Sequence, residues 1–173
     1  IRDSPWGLPG LRTEQQARVD EGNSVARAIL KLARMAERHC LPWIIENPHS
    51  SRFWNLPDIA ALRSLPSVSE SVVDFCMCGT MWRKRTRFLS GNIEECDLER
   101  LRGLRCQGRN GVCARTRLPH FRLSGCAPSN KPWTVIAQPY PHRLCSHLAW
   151  LLTENARSRF ANESYRQLMG NRP

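Results

Sequence analysis

The sequence has no apolar run approaching the ~20 residues that a bilayer-spanning helix needs, although 41% of its 173 residues are apolar. Its first segment, Ile1–Trp6, is polar and contains proline, and it does not resemble a secretory signal. These absences predict an intracellular protein, either nuclear or cytoplasmic. The apolar residues that are present suffice for one domain with a buried core.

Acidic residues are scarce, since 15 Asp and Glu stand against 26 Lys and Arg, for a net charge of +11. Lysine is scarce too, with only three among the basic residues. This excess favours a polyanionic partner, nucleic acid ahead of an acidic membrane surface. The arginine fork suits phosphates and base edges, and the densest basic segment is Arg83–Arg87. We therefore predict a nucleic-acid partner, DNA first, and no membrane partner.

The periodicity of apolar residues predicts a short series of helices and strands. In chain order they are a helix from Thr13 to about His39, a strand at 42–46, a short helix around 57–65, strands at Val72–Cys78 and Thr86–Ser90 forming a hairpin, and a helix from about Pro141 to Arg159. Residues 92–130 are polar and rich in Cys and Arg, and we interpret them as an insert within one domain spanning 1–173.

This order of elements predicts an α/β fold, specifically the second half of a three-layer domain. A parallel sheet needs a crossover connection before its first strand, and the chain begins without Met. We therefore expect a truncated domain whose other strands precede residue 1. A half-sheet leaves one strand edge unpaired, which favours association with the missing N-terminal half or with a second copy.

Glu46-Asn47-Pro48 ends the apolar run Pro42–Ile45. A carboxylate and an amide thus lie where a buried strand emerges, and the proline prevents the strand from continuing. In open α/β sheets, ligands bind at the carboxyl ends of strands, so this is a candidate site. The alternative is a solvated strand end in which Asn-Pro is only a turn signal.

Three segments, in order, resemble motifs of the cytosine-C5 DNA methyltransferases, especially the divergent versions of phages and mobile elements. Trp43–Pro48 looks like the Glu-Asn-Val strand end of that family. Val73–Gly79 followed by Trp82–Leu89 looks like its Asp-Tyr-Gly turn and Gln-x-Arg-x-Arg strand, and Ala137–Cys145 looks like its closing Asn-Ala-Val-Pro helix. The resemblance spans about residues 13–155. It implies a partial Rossmann-like methyltransferase sheet with a Cys/Arg-rich insert and a closing C-terminal helix.

The resemblance also implies roles for particular residues. Glu46, with Asn47 and Pro48, would form the catalytic strand end that holds a flipped cytosine by its ring nitrogen and exocyclic amine. The basic strand would bind the base and nearby phosphates through Arg83, Lys84, Arg85, Thr86 and Arg87. The two family arginine positions fall either on Lys84 and Thr86 or, one residue later, on Arg85 and Arg87. The Lys-Pro-Thr of the phage-like versions favours the first register.

Two parts of the family pattern are missing from the sequence. It has no Pro-Cys dipeptide for the nucleophile, and it has no Gly-rich loop for S-adenosylmethionine. We therefore expect the target-binding half of a DNA (cytosine-5) methyltransferase-like protein, with an incomplete cofactor site and no catalysis by this chain alone. The alternatives are a non-catalytic, zinc-stapled nucleic-acid-binding module and an inactive remnant.

Eight cysteines are present, and without a secretory signal they are expected to be reduced thiols or metal ligands. Within the insert, Cys96, Cys106, Cys113 and His120 form a candidate Cys3His zinc site, with Cys126 as an alternative ligand. Their spacings are longer than those of common zinc knuckles. The other interpretation is that they are small buried thiols beside a surface histidine.

Overall fold

The computed structural model describes residues 4–170, and it confirms the α/β class with five helices and one small sheet. The helices are α1 (Thr13–Arg38), α2 (Pro57–Arg63), α3 (Glu95–Arg102), α4 (Trp133–Ile136) and α5 (His142–Gly170), and the strands are β1 (Trp43–Pro48), β2 (Val68–Asp74) and β3 (Arg85–Gly91). Among the helices of residues 4–170, none combines the length and apolar composition of a membrane-spanning segment.

The sheet has the strand order β1-β3-β2, and β3 is antiparallel to both neighbours. β1 and β2 therefore run in the same direction, and the chain passes between them through α2. The expected hairpin of two strands is present as the β2–β3 pair. The prediction that its first strand continues to Cys78 is wrong, because Phe75–Cys78 turns into a 3-10 helix that Gly79 ends at φ 114.

Side chains of the sheet pack into two apolar clusters, one on each face. On one face, Trp43, Ile45 and Leu89 meet residues of α1 and α2, including Leu30 and Ile59. On the other face, the cluster joins the sheet to α3 and α5, and its buried members are Val73, Phe75, Cys78, Phe88, Leu98, Leu101, Leu144 and Leu151. The sheet is thus the middle layer between two layers of helices.

The segment 92–130 begins with a helix that the sequence did not predict. α3 buries Leu98 and Leu101 in the second cluster, and the backbone N–H of Asp74 donates to the Leu104 carbonyl oxygen (3.0 Å). The rest of the segment forms turns and isolated bridges, including an antiparallel bridge between Val112 and Pro119. The first part of the insert therefore belongs to the core of the domain.

Candidate functional site

Glu46 lies near the end of β1 with both carboxylate oxygens in hydrogen bonds. The hydroxyl of Thr86, on β3, donates to Oε1 (2.7 Å). The hydroxyl of Tyr140, just before α5, donates to Oε2. Thr86 is fully buried, and this bond satisfies its hydroxyl donor. The carboxylate is therefore oriented from two sides by distant segments of the chain.

Tyr140 also belongs to a small aromatic and cationic group. Its ring centroid lies 5.7 Å from that of Phe75, and the Lys84 Nζ lies 4.9 Å from the Phe75 ring and 5.5 Å from the Tyr140 ring. Burial, followed by the hydrogen bond to Glu46, raises the pKa of the Tyr140 phenol above its ordinary value. The phenol thus stays protonated and donates to the carboxylate at neutral pH. A carboxylate, a cation and aromatic faces together suit a flat polar ring.

Asn47 and Pro48 do not join this group around the carboxylate. Pro48 shapes the chain after β1, because its carbonyl oxygen accepts hydrogen bonds from the Ser51 backbone N–H (2.9 Å) and the Trp54 indole N–H (2.9 Å). Asn47 pairs with Arg87 in the β1–β3 register. Of the three strand-end residues, Glu46 is the one whose side chain meets both Thr86 and Tyr140.

The basic strand divides its side chains between the two faces of the sheet. Lys84 and Thr86 point toward Tyr140 and Glu46. Arg85 instead pairs with Asp74 (Nε to Oδ1, 3.0 Å), and Arg87 pairs with Glu70 (3.2 Å). Of the two registers left open by the sequence, the first therefore faces Glu46. The second lies on the face covered by α1 and α2.

Asp74 organises the start of this basic strand. It is 0% exposed, and its carboxylate accepts from Arg83 (3.2 Å), Arg85 (3.0 Å) and the backbone N–H of Cys106 (2.9 Å). Burial opposes the ionised form, but the hydrogen bonds from Arg85, Arg83 and Cys106 hold the pKa of Asp74 below its ordinary value. One buried anion thus holds two partly exposed guanidinium groups.

A second group of ligand atoms lies next to this network. The thiols of Cys76, Cys106 and Cys113 and the imidazole of His120 each offer one atom, and these atoms all lie within 4.8 Å of one another. The cluster could hold a metal ion such as zinc. Three of the four residues proposed from the sequence are therefore brought together.

Cys96, the fourth predicted ligand, is outside the cluster, and Cys76 takes its place. Cys96 is exposed on α3, where its thiol lies beside Asp97, and the alternative ligand Cys126 is exposed as well. The physical reason is that α3 packs against the sheet through Leu98 and Leu101, which places Cys96 on its outer side. Cys76 lies in the β2–β3 connection, and no spacing within the insert could have indicated it.

The three thiols of the cluster have different environments. Burial raises the pKa of the Cys76 thiol above its ordinary value, and the neighbouring Cys106 raises it further. Burial also opposes ionisation of Cys113, but hydrogen bonds from the Thr116 and Arg115 backbone N–H groups and from the Thr116 hydroxyl lower its pKa to about 6. The Cys113 thiol therefore ionises more readily than an ordinary cysteine, and the Cys76 thiol less readily.

Comparison of the chain with protein-family models, curated proteins and solved structures gave no significant match.

Proposed function

We propose that this chain is the target-binding part of a DNA (cytosine-5) methyltransferase-like domain and that Glu46 holds an extrahelical cytosine. One observation carries the proposal. The three segments with family resemblance meet at a single carboxylate, since Glu46 of the first segment accepts from Thr86 of the second and Tyr140 of the third. Pairing of β1 with β3 accounts for the approach of Thr86, but Tyr140 reaches the same carboxylate from outside the sheet.

The direction of the strands supports the finer fold that the proposal requires. β1 and β2 run parallel, and α2 lies in the connection between them, as in the crossover connections of α/β sheets. We propose that the three strands are one side of a Rossmann-like methyltransferase sheet. Within residues 4–170, β1 pairs on one side only, so its other edge can accept a further strand.

In the proposed complex, the base leaves the duplex because its reactive edge is hidden by pairing and stacking. Each carboxylate oxygen has two lone-pair sites. Thr86 and Tyr140 each use one, so Glu46 can still accept from the exocyclic amine of cytosine. A proton taken up from solvent and shared between the Glu46 carboxyl group and the ring nitrogen completes the pair and makes the ring more electrophilic. Lys84 and the Tyr140 ring would contact the base face or its phosphate.

The nucleophile and the S-adenosylmethionine loop of the family have no counterpart in this sequence. We propose that another polypeptide segment supplies both and that this chain alone binds without transferring a methyl group. Labelled S-adenosylmethionine and cytosine-containing duplex test this directly. Transfer of label above background by the chain alone would contradict the proposal.

The test of base holding uses duplexes that carry one unpaired cytosine or one unpaired thymine opposite an abasic site. Fluorescence anisotropy should show tighter binding to the cytosine duplex, by about tenfold if both hydrogen bonds form. Glu46→Ala removes both carboxylate oxygens and should abolish the preference. Glutamine is unsuitable here, because its amide can itself accept from the exocyclic amine of cytosine and donate to the ring nitrogen. Glu14→Ala removes a carboxylate at an exposed position of α1 and should leave the preference intact. Equal preference in wild type and Glu46→Ala would refute the role of Glu46.

The cysteine–histidine cluster favours a second candidate, a zinc-stapled nucleic-acid-binding module without base recognition. Such a module would bind cytosine and thymine duplexes equally. Its affinity would still fall steeply with salt, because log K decreases by about 0.9 per phosphate contact for each log unit of salt. Strong salt dependence without cytosine preference therefore selects this second function. Lack of binding at low salt would indicate an inactive remnant.

A further inference from the structure

We propose that Cys76, Cys106, Cys113 and His120 bind one structural zinc ion that clamps the insert to the β2–β3 connection. The ion would join a turn that directly follows a sheet strand to a loop that has little regular structure. It would also hold the backbone of Cys106, on which the arginine network depends. The proposal rests on the arrangement of the ligands, their hydrogen bonds and their loop.

The spacing of the ligand atoms is close to that of a tetrahedral site. Zinc–sulfur bonds of about 2.3 Å place two sulfur ligands about 3.8 Å apart. All four ligand atoms lie within 4.8 Å of one another, and the Cys106 Sγ lies 3.7 Å from the His120 Nε2. Contraction of less than about an ångström therefore brings the group to bonding distance.

The tautomer of His120 is set for metal binding. Its Nδ1 lies 2.8 Å from the Gly111 carbonyl oxygen. Because a carbonyl can only accept, Nδ1 must carry the hydrogen. The lone pair then lies on Nε2, the atom that faces the thiol of Cys106. A histidine ligand whose second nitrogen donates to a backbone carbonyl is the usual arrangement in zinc sites.

The loop that carries Cys113 and His120 is held by its own backbone. The Cys113 N–H donates to the Leu118 carbonyl (2.8 Å), and the His120 N–H donates to that of Gly111 (2.8 Å). The loop also needs a glycine at position 108, where a Cβ would lie 1.8 Å from the Val112 carbonyl oxygen. These contacts present both ligands in the same direction.

The thiols themselves point to a cation. Cys76, Cys106 and Cys113 are 0%, 2% and 3% exposed, and the Ala114 N–H donates to the Cys106 sulfur (3.4 Å). Metal binding ionises these thiols, and the cation then neutralises their charge inside the buried group. Three sulfurs and one imidazole match zinc in softness and number. Because the protein supplies all four ligands, the site has a structural role.

Cys106 links the proposed ion to the basic strand through its backbone. Its N–H donates to Asp74 (2.9 Å), and its carbonyl oxygen accepts from Arg83 (3.0 Å). Asp74 also holds Arg85. Zinc binding at the Cys106 sulfur would therefore position Arg83 and Arg85 as well. The importance of this link for DNA binding rests on the proposed function, whereas the zinc site itself does not.

Elemental analysis of protein purified under reducing conditions tests the site, with two single substitutions as the comparison. Wild type and Cys96→Ser should each contain about one equivalent of zinc, and Cys76→Ser should contain less than about a tenth. The two variants distinguish the ligand set found in the structure, which includes Cys76, from the set suggested by the sequence, which includes Cys96. A metal-free wild type, or zinc lost from Cys96→Ser and kept by Cys76→Ser, would overturn the proposal.

Cobalt substitution keeps the test decisive if Cys76→Ser does not fold. Apo wild type loaded with Co²⁺ should show the intense visible bands of a tetrahedral site and thiolate-to-metal charge transfer. His120→Cys should retain binding with a shifted spectrum, because a fourth thiolate replaces the imidazole. Weak octahedral bands in wild type would contradict the site. The DNA affinity of the zinc-free protein is a separate measurement. If removal of zinc leaves DNA affinity unchanged, that result would count against the proposed function and not against the zinc site.

Discussion

At the scale of single residues, Glu46 and Asp74 are two carboxylates with opposite surroundings. Glu46 accepts from two neutral hydroxyl groups, Thr86 and Tyr140, and no ion pair involves it in the described part of the chain. Asp74 is enclosed by two guanidinium groups and a backbone N–H, so its negative charge is neutralised by donors of the same chain. This difference favours Glu46 as the group that meets a ligand and Asp74 as the group that positions the arginines.

Replacing Asp74 tests the positioning role. Asp74→Asn should lower the free energy of unfolding by about 1.5–3 kcal/mol, because the charged hydrogen bonds are lost. The control is Glu95→Gln, which alters an exposed pair with Arg102 and should change stability little, since exposed pairs add little. Urea unfolding of the three proteins gives the comparison. Equal effects of both substitutions would contradict the importance of the buried network.

The same pair of proteins predicts a pH dependence. The pKa of Asp74 is lower in the folded chain, so the unfolded chain binds the proton first as pH falls. The stabilisation is therefore complete above the ordinary Asp value of about 3.9 and is lost as pH falls through the lower folded pKa. The stability difference between wild type and Asp74→Asn should shrink in that window. A difference that grows with acidification would refute this assignment.

At the scale of elements, the fit between β1 and β3 depends on a missing side chain. Trp43 lies opposite Gly91 in the register, and its indole covers the position where a Cβ on Gly91 would be, only 2.2 Å from Nε1. The indole N–H donates to Glu37 of α1 (2.7 Å), so the ring is held in place and cannot easily move. Because Gly91 has no side chain, the Trp43 indole fits between the end of β3 and α1.

Adding a methyl group at Gly91 should therefore be destabilising. We expect Gly91→Ala to cost about 1–3 kcal/mol through overpacking. Gly103→Ala is the matched control, because its nearest contacts would be ordinary at 3.6 Å and its φ of −62 suits alanine. It should be neutral or slightly stabilising. Thermal unfolding distinguishes the two, and a Gly91→Ala protein as stable as wild type would mean that Trp43 is not confined.

At the scale of the whole molecule, helices cover both faces of the sheet, and its outer strands β1 and β2 each pair on one side only within residues 4–170. An apolar groove runs beside β1 and is lined by residues of α1, of β1 and of the connection between them, including Leu32, Met35, Leu41 and Ile44. Open apolar edges favour strand pairing between chains. The sequence led us to expect self-association, and the β1 edge with its apolar groove is the surface where we expect it to occur.

We expect the isolated chain to associate through this edge in a concentration-dependent way. Leu32→Glu, at a groove residue that is 64% exposed, should reduce association because it places a charge in the contact. Val25→Glu changes the same helix at a position that is 56% exposed and outside the groove lining, and it should not. Light scattering after size exclusion measures the mass. A monomer at all concentrations would contradict this role of the edge.

Local sequence patterns were enough to predict the α/β class, the long first and last helices, the paired strands and the position of Glu46 near the end of a strand, although β1 continues to Pro48. These follow from local periodicity and from the stop that Pro48 imposes, and they need no knowledge of distant contacts. The excess of positive charge is likewise a property of composition. Local patterns could not show whether Lys84 and Thr86 or Arg85 and Arg87 face Glu46, and they could not identify all of the metal ligands.

Two features of the site depend on long-range packing: Lys84 and Thr86 face Glu46, and Cys76 takes the place of Cys96 among the metal ligands. Alternation along a strand fixes which residues share a face, but the pairing of Thr86 with Val73 and Pro48 determines which face that is. Ligand choice depends on how α3 packs and where the turn after β2 lies. Both are long-range packing outcomes, and no spacing within one segment encodes them.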